Sequence, residues 1–412
     1  MVSWTVLLKR FYCCRKKECI IFKLTNLMKN LHLYIHYPFC LSKCPYCDFN
    51  SHTKNEIEED NFLNAYLAEM EFFAKKIGER KIKTIFFGGG TPSLMSIYFL
   101  EKIMIKINDL WQIDENCEIT LEANPTSFEA KKFQDFKRIG INRISLGIQS
   151  LNDNDLKFLG RNHSASEAMK TIEITAKIFD NLSFDLIYCR PEQQIEDWKI
   201  ELQRALDFQT KHLSLYQLTI EKGTKFYKKH QDGDFIMPKD DLAAQFYEKT
   251  DEIMKKNDFI DYEISNYAKK GYQSRHNLSY WTSKEYLGIG AGAHSRINFD
   301  DSRNAVQMLS LPEKWLEKVE KTGSGIQKQE KITKKEFLEE FLLMGLRLED
   351  GIENDAFLEN FDKNIKDLIK IDKLKRMTAG NFLLCDENRI KITKKGKLLT
   401  NRIIFEILEN LN

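Results

Sequence analysis

The sequence predicts an α/β fold: a partial (β/α)6 barrel followed by a small, winged-helix-like α+β domain. Runs rich in β-branched and aromatic residues alternate six times with segments whose apolar residues recur at helical spacing. Such alternation indicates parallel strands that are joined by crossover helices. The two further units that a closed eight-stranded barrel would need are not found in the sequence, so we expect an open barrel.

The predicted barrel occupies residues 28–260. Its strands are expected at residues 31–36, 83–88, 118–122, 141–148, 182–188 and 212–219. The helices between them are expected at residues 56–77, 94–109, 126–138, 164–178 and 195–208. A further helix is expected near 239–256. An extension of the barrel over 261–330 is expected to be rich in loops from 262 to 304.

Near residue 330 the pattern changes to a Lys/Glu-rich helical region, which begins a predicted domain at residues 331–412. A helix over Thr333–Leu348 and two short helices precede a hairpin over Phe382–Ile392 that turns at residues 386–388. A last helix is expected from Lys394. Helices with a β-hairpin suggest a winged-helix-like domain, but no basic recognition face marks it as a DNA reader. A structural or partner-docking role is expected instead.

The composition is that of an ordinary globular protein, with 42% hydrophobic and 30% charged residues. The 63 basic residues nearly balance the 61 acidic ones, so nothing favours nucleic acid as a partner. No apolar run of about 18 residues exists, and no transmembrane helix is expected. The nine cysteines form no evident disulfide framework, which predicts a reducing, cytoplasmic compartment.

The first 27 residues differ from the rest and have three interpretations. They carry several basic residues, and Cys13, Cys14 and Cys19. They are a targeting segment, a source of further metal ligands, or the product of a misassigned start codon. We favour the last, because Met28 leads directly into the first strand. The segment is therefore expected to be dispensable.

Three cysteines with the spacing C-x3-C-x2-C follow the first strand: Cys40, Cys44 and Cys47. Three thiolates on one loop can ligate three irons of a [4Fe–4S] cluster and leave the fourth iron open to a small ligand. A structural zinc site needs four closed ligands. His36 or His52 is able to supply the fourth, so zinc stays open as an alternative.

Polar residues and glycines follow the other strands at their carboxyl ends. The turn Gly88–Pro92 follows the second strand, and consecutive glycines allow a ligand to approach the backbone closely. Glu122, Gln149 and Asp185 end or lie late in the next three strands. Because barrel active sites are built at this face, we expect these side chains to share one cavity. Arg161 is suited to neutralise a carboxylate there or to stack on an adenine ring.

The cysteine spacing, with the aromatic Tyr46 just before the last cysteine, resembles the radical S-adenosylmethionine (SAM) superfamily. The resemblance implies that the methionine moiety of SAM binds the open iron. It also implies that an electron from the reduced cluster cleaves SAM to a 5′-deoxyadenosyl radical. In that pattern Gly89, Gly90 and Thr91 contact the methionine amino group.

Over residues 31–411 the chain resembles a narrower family, the oxygen-independent coproporphyrinogen III oxidase group. The markers are Tyr34-x-His-x-Pro-Phe-Cys40, the Gly-Gly-Gly-Thr-Pro turn, and the runs Ile144–Gln149 and Phe184–Tyr188. The resemblance implies a SAM pocket lined by Tyr34, Tyr46, Gly89, Gly90, Thr91, Glu122, Gln149, Arg161 and Asp185.

Within that group the chain is most similar to the heme chaperones. Cys47 is followed by Asp48–Phe49, where the oxidases carry a further cysteine. His276-Asn-Leu-Ser-Tyr-Trp281 matches a motif associated with heme. A histidine can ligate heme iron and aromatic rings can pack against the macrocycle, so His276 is the candidate ligand and His294 the second. The alternative is a histidine satisfied by local hydrogen bonds, with Trp281 in the core.

One departure from the family follows Tyr188. The family continues with a Gly-x-Pro-Gly type turn, whereas this chain has Cys189-Arg-Pro-Glu192. The missing glycines are expected to restrict the loop beside Asp185, and Arg190 and Glu192 to add charge at the mouth of the cavity.

Two functions are therefore weighed. The favoured one is a chaperone that binds a [4Fe–4S] cluster, SAM and heme, and transfers heme to an acceptor protein. The resemblance makes a membrane-associated respiratory enzyme one candidate acceptor, which would place the protein at the inner face of a membrane; the electron donor is not identified. The alternative is an oxidase that decarboxylates two propionates of coproporphyrinogen III through the radical. No catalytic residue is assigned and no nucleic-acid partner is expected.

Overall fold

The computed structural model describes residues 28–54, 57–299 and 301–411, so the prediction for residues 1–27 lies outside the described part. The strands, numbered in chain order, are β1 Asn30–Tyr37, β2 Phe39–Cys40, β3 His52–Thr53, β4 Lys81–Gly89, β5 Gln112–Ala123, β6 Arg143–Gln149, β7 Asn181–Tyr188, β8 His212–Gln217, β9 Ile260–Asp261, β10 Asn266–Ala268, β11 Tyr286–Ile289, β12 His294–Phe299, β13 Ser302–Met308, β14 Ile326–Lys331, β15 Ile352–Glu353, β16 Leu383–Cys385 and β17 Arg389–Ile392.

The helices surround this sheet and form most of the C-terminal domain. In chain order they are α1 Glu59–Ile77, α2 Ile97–Leu110, α3 Ser127–Ala130, α4 Phe133–Ile139, α5 Asp153–Phe158, α6 Ala165–Ile178, α7 Ile195–Asp207, α8 Lys225–Gln231, α9 Asp240–Lys256, α10 Arg275–Trp281, α11 Pro312–Thr322, α12 Lys334–Gly345, α13 Asn354–Phe361, α14 Ile365–Leu368, α15 Ile371–Ala379 and α16 Thr400–Leu408. In the described ranges, 3₁₀ turns lie at Pro92–Leu94 and Lys394–Leu399.

The predicted partial barrel is confirmed. Within the described ranges, twelve strands form one sheet in the order β14-β13-β12-β11-β1-β4-β5-β6-β7-β8-β10-β9. The run from β1 to β8 is parallel throughout, as expected from the alternating pattern. The strand order has two ends, so the sheet stays open. The carboxyl ends of the parallel strands thus meet along one edge, which is where the polar residues were predicted to converge.

The core of the barrel lies between the sheet and its helices. Leu33 pairs in register with Ile85, and Leu146 with Phe184, and all four side chains are fully buried. Both faces of a parallel strand are covered in such a fold, which explains why these strands read as apolar runs. Each buried side chain of this size contributes about 2 kcal/mol to the free energy of unfolding. This rigid layer fixes where each strand ends.

Two predictions about the local structure need correction. The helix expected at 126–138 is two helices, α3 and α4, and Lys132 between them donates to the carbonyls of residues 93–95. The stretch 262–304, expected to be rich in loops, contains β10–β13 and α10. These strands pair with the edges of the sheet, β11 in parallel with β1 and β12–β14 antiparallel beyond it. Their stability comes from distant partners that the local pattern does not reveal.

The C-terminal region has its own core, in which Leu342, Phe357, Ile369, Ile390 and Ile407 are buried. The predicted hairpin is confirmed as β16 and β17, which β15 extends to three strands. The last helix begins at Thr400 and not at Lys394, because a 3₁₀ turn precedes it.

Ionic contacts join the C-terminal region to the barrel. Lys397 contacts the carboxylates of Asp261 and Glu349, and Arg296 of β12 forms a bidentate pair with Glu340 of α12. In the ranges that the structure describes, no helix combines the length and the apolar composition that crossing a membrane requires.

Candidate functional site

The structure brings most of the predicted site residues together around one cavity of about 200 Å³. The cavity opens at the carboxyl ends of β4–β7, beside the loop that carries the three cysteines. Its lining includes all but one of the residues predicted for the cluster and for SAM, namely Cys40, Cys44, Tyr46, Cys47, Gly89, Gly90, Thr91, Glu122, Gln149, Arg161 and Asp185. Tyr34 lies instead in the wall of an adjoining cavity.

The cysteine loop is held by short-range backbone pairing. Cys40 ends β2, which pairs with β3, and the amide of Cys47 donates to the carbonyl of Cys44 at 3.2 Å. None of the three thiols is in a disulfide. Cys40 Sγ accepts a hydrogen bond from Thr91 Oγ1 at 3.3 Å, and Cys44 Sγ accepts one from the guanidinium of Arg161 at 3.3 Å. Two donors therefore already point at sulfur.

The thiols fit an iron–sulfur cluster better than a zinc ion. His36 uses both ring nitrogens, toward Tyr34 Oη at 2.9 Å and the Asn50 carbonyl at 2.9 Å, so it is not free to be a fourth zinc ligand. In the described part of the chain, no group of three or more His, Cys, Asp or Glu side chains surrounds a single ion position. In a [4Fe–4S] cluster each thiolate binds a different iron, so the three sulfurs need not converge on one point. Burial raises the pKa of Cys40, so metal binding there would release a proton.

The glycine turn packs against the strand that precedes the cysteine loop. The amide of Gly90 donates to the Tyr37 carbonyl at 2.7 Å. A Cβ on Gly90 would lie 2.5 Å from the carbonyl oxygen of Phe39, and one on Gly89 would lie 2.6 Å from the His36 ring. Gly89 also has a φ of 113°, in the region that favours glycine. The turn thus requires glycine for packing as well as for access by a ligand.

Two carboxyl groups enter the cavity from neighbouring strands. Glu122 Oε2 accepts a hydrogen bond from the Gly89 amide at 3.1 Å. Burial, together with the negative charge of Asp185, raises the pKa of Glu122 to about 8. Burial raises the pKa of Asp185 to about 6, against the opposing effects of Ser214, Arg143 and Arg161. At neutral pH one carboxyl is thus protonated and the other ionised, which gives the cavity both a donor and acceptors for hydroxyl groups.

Arg161 is anchored by a residue that the sequence reasoning missed. Its Nη2 donates to Asn124 Oδ1 at 2.6 Å and to the Gly147 carbonyl at 2.7 Å. Asn124 Nδ2 in turn donates to Thr91 Oγ1 at 3.3 Å, so this amide links the glycine turn to the arginine. Asn124 lies two residues after Glu122, directly after the end of β5. Because residues two apart in a strand point to the same face, this spacing could have predicted that Asn124 also faces the cavity.

The departure after Tyr188 has a different consequence from the one expected for Arg190. Its side chain is 2% exposed and forms ion pairs of 2.8 Å with Asp155 and with Glu201. The prediction that Arg190 adds charge at the mouth of the cavity is therefore wrong. The guanidinium instead ties α5 to α7 from inside the protein. The backbone at Cys189 and Glu192 has positive φ, which supplies the turn without the family's glycines.

A second, larger cavity of about 940 Å³ adjoins the first. Phe49, Gly89 and Glu122 line both, so they form the boundary between the two. The outer walls come from β12, β13, α10 and α12. Tyr34 lines this cavity, and its hydroxyl pairs with His36 as described.

The structure places His276 away from both cavities. It is 1% exposed, with Nδ1 2.6 Å from Thr84 Oγ1 and Nε2 2.7 Å from Tyr280 Oη, and its ring stacks on Phe86. Burial lowers its pKa. Other residues of the same motif, including Tyr280 and Trp281, do line the second cavity. Ligation of heme by His276 stays a prediction, and it would require the ring to leave both hydrogen bonds.

Residues 34–204 match the Radical SAM superfamily, and residues 332–399 match the HemN C-terminal domain. The chain is 35% identical over 387 residues to radical S-adenosyl methionine domain-containing protein 1, mitochondrial, from Mus musculus, across 92% of this chain and 87% of that protein. It is 34% identical over 377 residues to the heme chaperone HemW of Escherichia coli, across 91% of this chain and 97% of that protein. The chain belongs to the HemW family.

The fold of this HemW-family chain is also that of a solved relative. The coproporphyrinogen III oxidase HemN of Escherichia coli, a radical SAM enzyme, aligns with a TM-score of 0.78 over 92% of this chain and 90% of that one. The two sequences are 19% identical, so the likeness concerns the fold alone. The resemblance drawn from the sequence motifs is confirmed. Membership of the radical SAM superfamily implies a [4Fe–4S] cluster and SAM, and the three thiols and the first cavity fit both.

Proposed function

We propose that this chain is a heme chaperone, which binds heme, carries a [4Fe–4S] cluster with SAM, and passes heme to an acceptor protein. The observation that carries the proposal is the similarity to HemW proteins of 33–35% identity across 91% or more of the chain. The second cavity supports it, because about 940 Å³ lies within the range of pockets that enclose large organic ligands.

In this proposal the first cavity holds the resident cofactors. Cys40, Cys44 and Cys47 supply the thiolates for the cluster, and Arg161 donates to one of them. Glu122 and Asp185 hydrogen-bond to the ribose hydroxyls of SAM. When bound, the cluster supplies one electron at a time and SAM is the group that such an electron can cleave. The protein's part is to hold these groups and to exclude water.

The alternative, oxidation of coproporphyrinogen III, receives less support. That activity requires a propionate of the substrate to reach the reacting carbon of SAM. Phe49, which stands where the oxidases have a further cysteine, lies at the boundary between the two cavities with 60% of its side chain exposed. Its ring therefore borders both cavities and offers no charge or hydrogen-bond donor to a propionate.

The cluster is tested by anaerobic reconstitution. Replacement of Cys40, Cys44 and Cys47 by alanine should abolish the bound iron and sulfide. Cys385→Ser is the matched control, because its thiol is half-buried in the C-terminal region and away from the site. Full iron content in the triple variant would contradict the proposed ligand set.

The function is tested by two assays on the same preparation. A heme titration should show saturable binding at one heme per chain, followed by transfer to an apo-hemoprotein mixed with the loaded chain. An anaerobic assay with reduced cluster, SAM and coproporphyrinogen III should show no multiple-turnover formation of protoporphyrinogen. Turnover in that assay would overturn the chaperone proposal in favour of the oxidase.

The heme acceptor belongs to the same proposal. A respiratory enzyme at a membrane is the acceptor class we infer, with the chaperone in a reducing compartment because the cluster requires reduced thiols. Transfer to a membrane fraction that contains apo-enzyme, compared with transfer to protein-free vesicles, measures whether a protein acceptor is needed.

A further inference from the structure

Ionisable side chains are unevenly placed along the second cavity. Glu122, which ends β5, lies at the boundary with the first cavity. Arg303 of β13 lines the outer part, and β13 stands five places from β5 in the strand order. Arg347, which follows α12, also lines that part. The boundary of the cavity therefore carries the Glu122 carboxyl group, and its outer part carries the guanidinium groups of Arg296, Arg303 and Arg347 together with the carboxylate of Glu340.

The outer arginines differ in whether they are already paired. Arg296 is neutralised by Glu340, with two N–O distances of 3.0 and 2.7 Å. Among the described residues, Arg303 and Arg347 have no carboxylate within ion-pair distance. Arg303 donates to the Ser283 carbonyl at 2.9 Å, and Arg347 donates to Asn401 Oδ1 at 2.9 Å.

The environment of these two arginines favours an anionic ligand. Arg303 lies over the ring of Phe337 at 4.3 Å, and its buried Nε has no hydrogen-bond partner in the described part of the chain. Burial lowers the pKa of both guanidinium groups. Glu340 and Glu285 lie near Arg303 but form no ion pair with it. A half-buried cation that lacks a direct ion pair is unfavourable, so a ligand with two carboxylates on one edge would compensate both arginines.

Aromatic side chains also line the second cavity. Tyr280 and Tyr286 pack edge to face at 4.6 Å, and Trp281 lies beside them in the lining. Flat aromatic rings contribute most when a flat apolar ligand lies against them. A porphyrin has this shape, with apolar faces and both propionates on a single edge.

A free histidine faces the same space. His294 begins β12, its side chain is exposed, and its ring has no hydrogen-bond partner among the described residues. It lies four residues before Asn298, which pairs with Arg303. Four residues of strand span about 13 Å. Where the side chains of His294 and Arg303 lean toward each other, the gap between them becomes comparable with the distance from the centre of a porphyrin to its carboxylates.

We propose that heme lies in the second cavity with its propionates at Arg303 and Arg347 and with His294 as the ligand of its iron. The inference rests on the proposed function and adds the orientation of the heme. The propionates point away from the first cavity. Such an orientation suits a carrier and keeps the carboxylates away from the group that an oxidase would use to attack them.

The orientation is tested with two probes, hemin and its dimethyl ester, in which the propionates are uncharged. For each arginine, replacement by glutamine should weaken hemin binding about tenfold, because each removes a charged hydrogen bond. The same variants should bind the diester as tightly as the wild type does. Arg138→Gln is the matched control, since Arg138 is exposed on α4, far from the cavity. Equal losses for both probes, or none for hemin, would overturn the orientation.

The ligand is tested by absorption spectra of bound heme. His294→Ala and His294→Gln should each shift the spectrum from that of the wild type and speed heme dissociation, whereas the exposed His230→Ala should match the wild type. The thermal unfolding of each variant shows that it is folded. An unchanged spectrum in both His294 variants, or loss of the ligation signature in a folded His276→Ala instead, would overturn the assignment.

These experiments separate the two proposals. Failure of the wild type to bind heme would overturn the chaperone function itself. Heme binding and transfer by the wild type, with unchanged behaviour of the His294, Arg303 and Arg347 variants, would leave the function standing and overturn this location.

Discussion

Glu122 should make the free energy of unfolding depend on pH, and replacing it by glutamine should remove most of that dependence. The carboxyl pKa is raised from 4.5 to about 8 by burial and by Asp185. Between these two values the unfolded chain ionises Glu122 and the folded chain does not. Stability that is fully present below about pH 4.5 is therefore lost as the pH rises toward 8. Glutamine resembles the protonated acid and keeps the acceptor for the Gly89 amide.

The magnitude follows from the size of the pKa change. At about 1.36 kcal/mol for each pH unit, full ionisation would cost roughly 4–5 kcal/mol. Glu122 borders two cavities that admit water, so screening reduces this to about 2–3 kcal/mol. For a chain of 412 residues that unfolds as one unit, 1 kcal/mol corresponds to roughly 1 °C in Tm. The glutamine variant should thus unfold about 2–3 °C above the wild type at pH 9 and close to it at pH 5.

The assay is thermal unfolding of metal-free, reduced protein from pH 5 to pH 9. Glu79→Gln, at an exposed position before β4, is the matched control and should run parallel to the wild type. SAM carries a positive sulfonium group, which favours ionised Glu122, so its binding at pH 7 should release protons from the wild type and fewer from the variant. Parallel melting curves for wild type and Glu122→Gln across this range would refute the argument.

Two further substitutions test the scaffold around the site. Gly90→Ala should lower the free energy of unfolding by about 1–3 kcal/mol in chemical denaturation and reduce cluster content, because its Cβ would meet the Phe39 carbonyl oxygen at 2.5 Å; unchanged values would contradict the packing argument. Arg190→Met should lower it by about 3–5 kcal/mol because Glu201 is left as a buried, unpaired carboxylate. Adding Glu201→Gln should restore part of the loss, and no recovery in the double variant would show that the ion pair is not the cause.

The barrel was predictable from the sequence because its determinants are local. Each parallel strand is an apolar run buried on both faces, and each crossover helix has its own periodicity. The strands β11–β14 were not predicted, since they are short or polar and depend on pairing with a sheet edge. β14 illustrates the difficulty: Gln327, Lys328, Gln329 and Glu330 give no apolar face, yet the strand pairs in register with β13.

The residues of the candidate site that lie at the ends of strands could be predicted from the sequence. Glu122, Gln149 and Asp185 share one cavity because the parallel sheet aligns those ends. Contacts made by side chains from different segments were not accessible in the same way. Asn124 joins Thr91 to Arg161 only in the folded chain, and Arg190 turns inward because Asp155 and Glu201 lie on separate helices there.

Under the proposed function, the two cavities give the SAM cofactor and the porphyrin separate places on one scaffold. The two cavities share Glu122, Gly89 and Phe49 in their linings, so a ligand in either cavity contacts the boundary that it shares with the other. Charge decides how a porphyrin would lie: a carboxylate at the boundary between the cavities meets the carboxyl group of Glu122, whereas the outer part of the second cavity offers Arg303 and Arg347, neither of which is in an ion pair with a described carboxylate. The boundary itself provides the aromatic ring of Phe49 and the carboxyl group of Glu122, neither of which would hold a propionate carboxylate there, and this agrees with the proposal of a carrier.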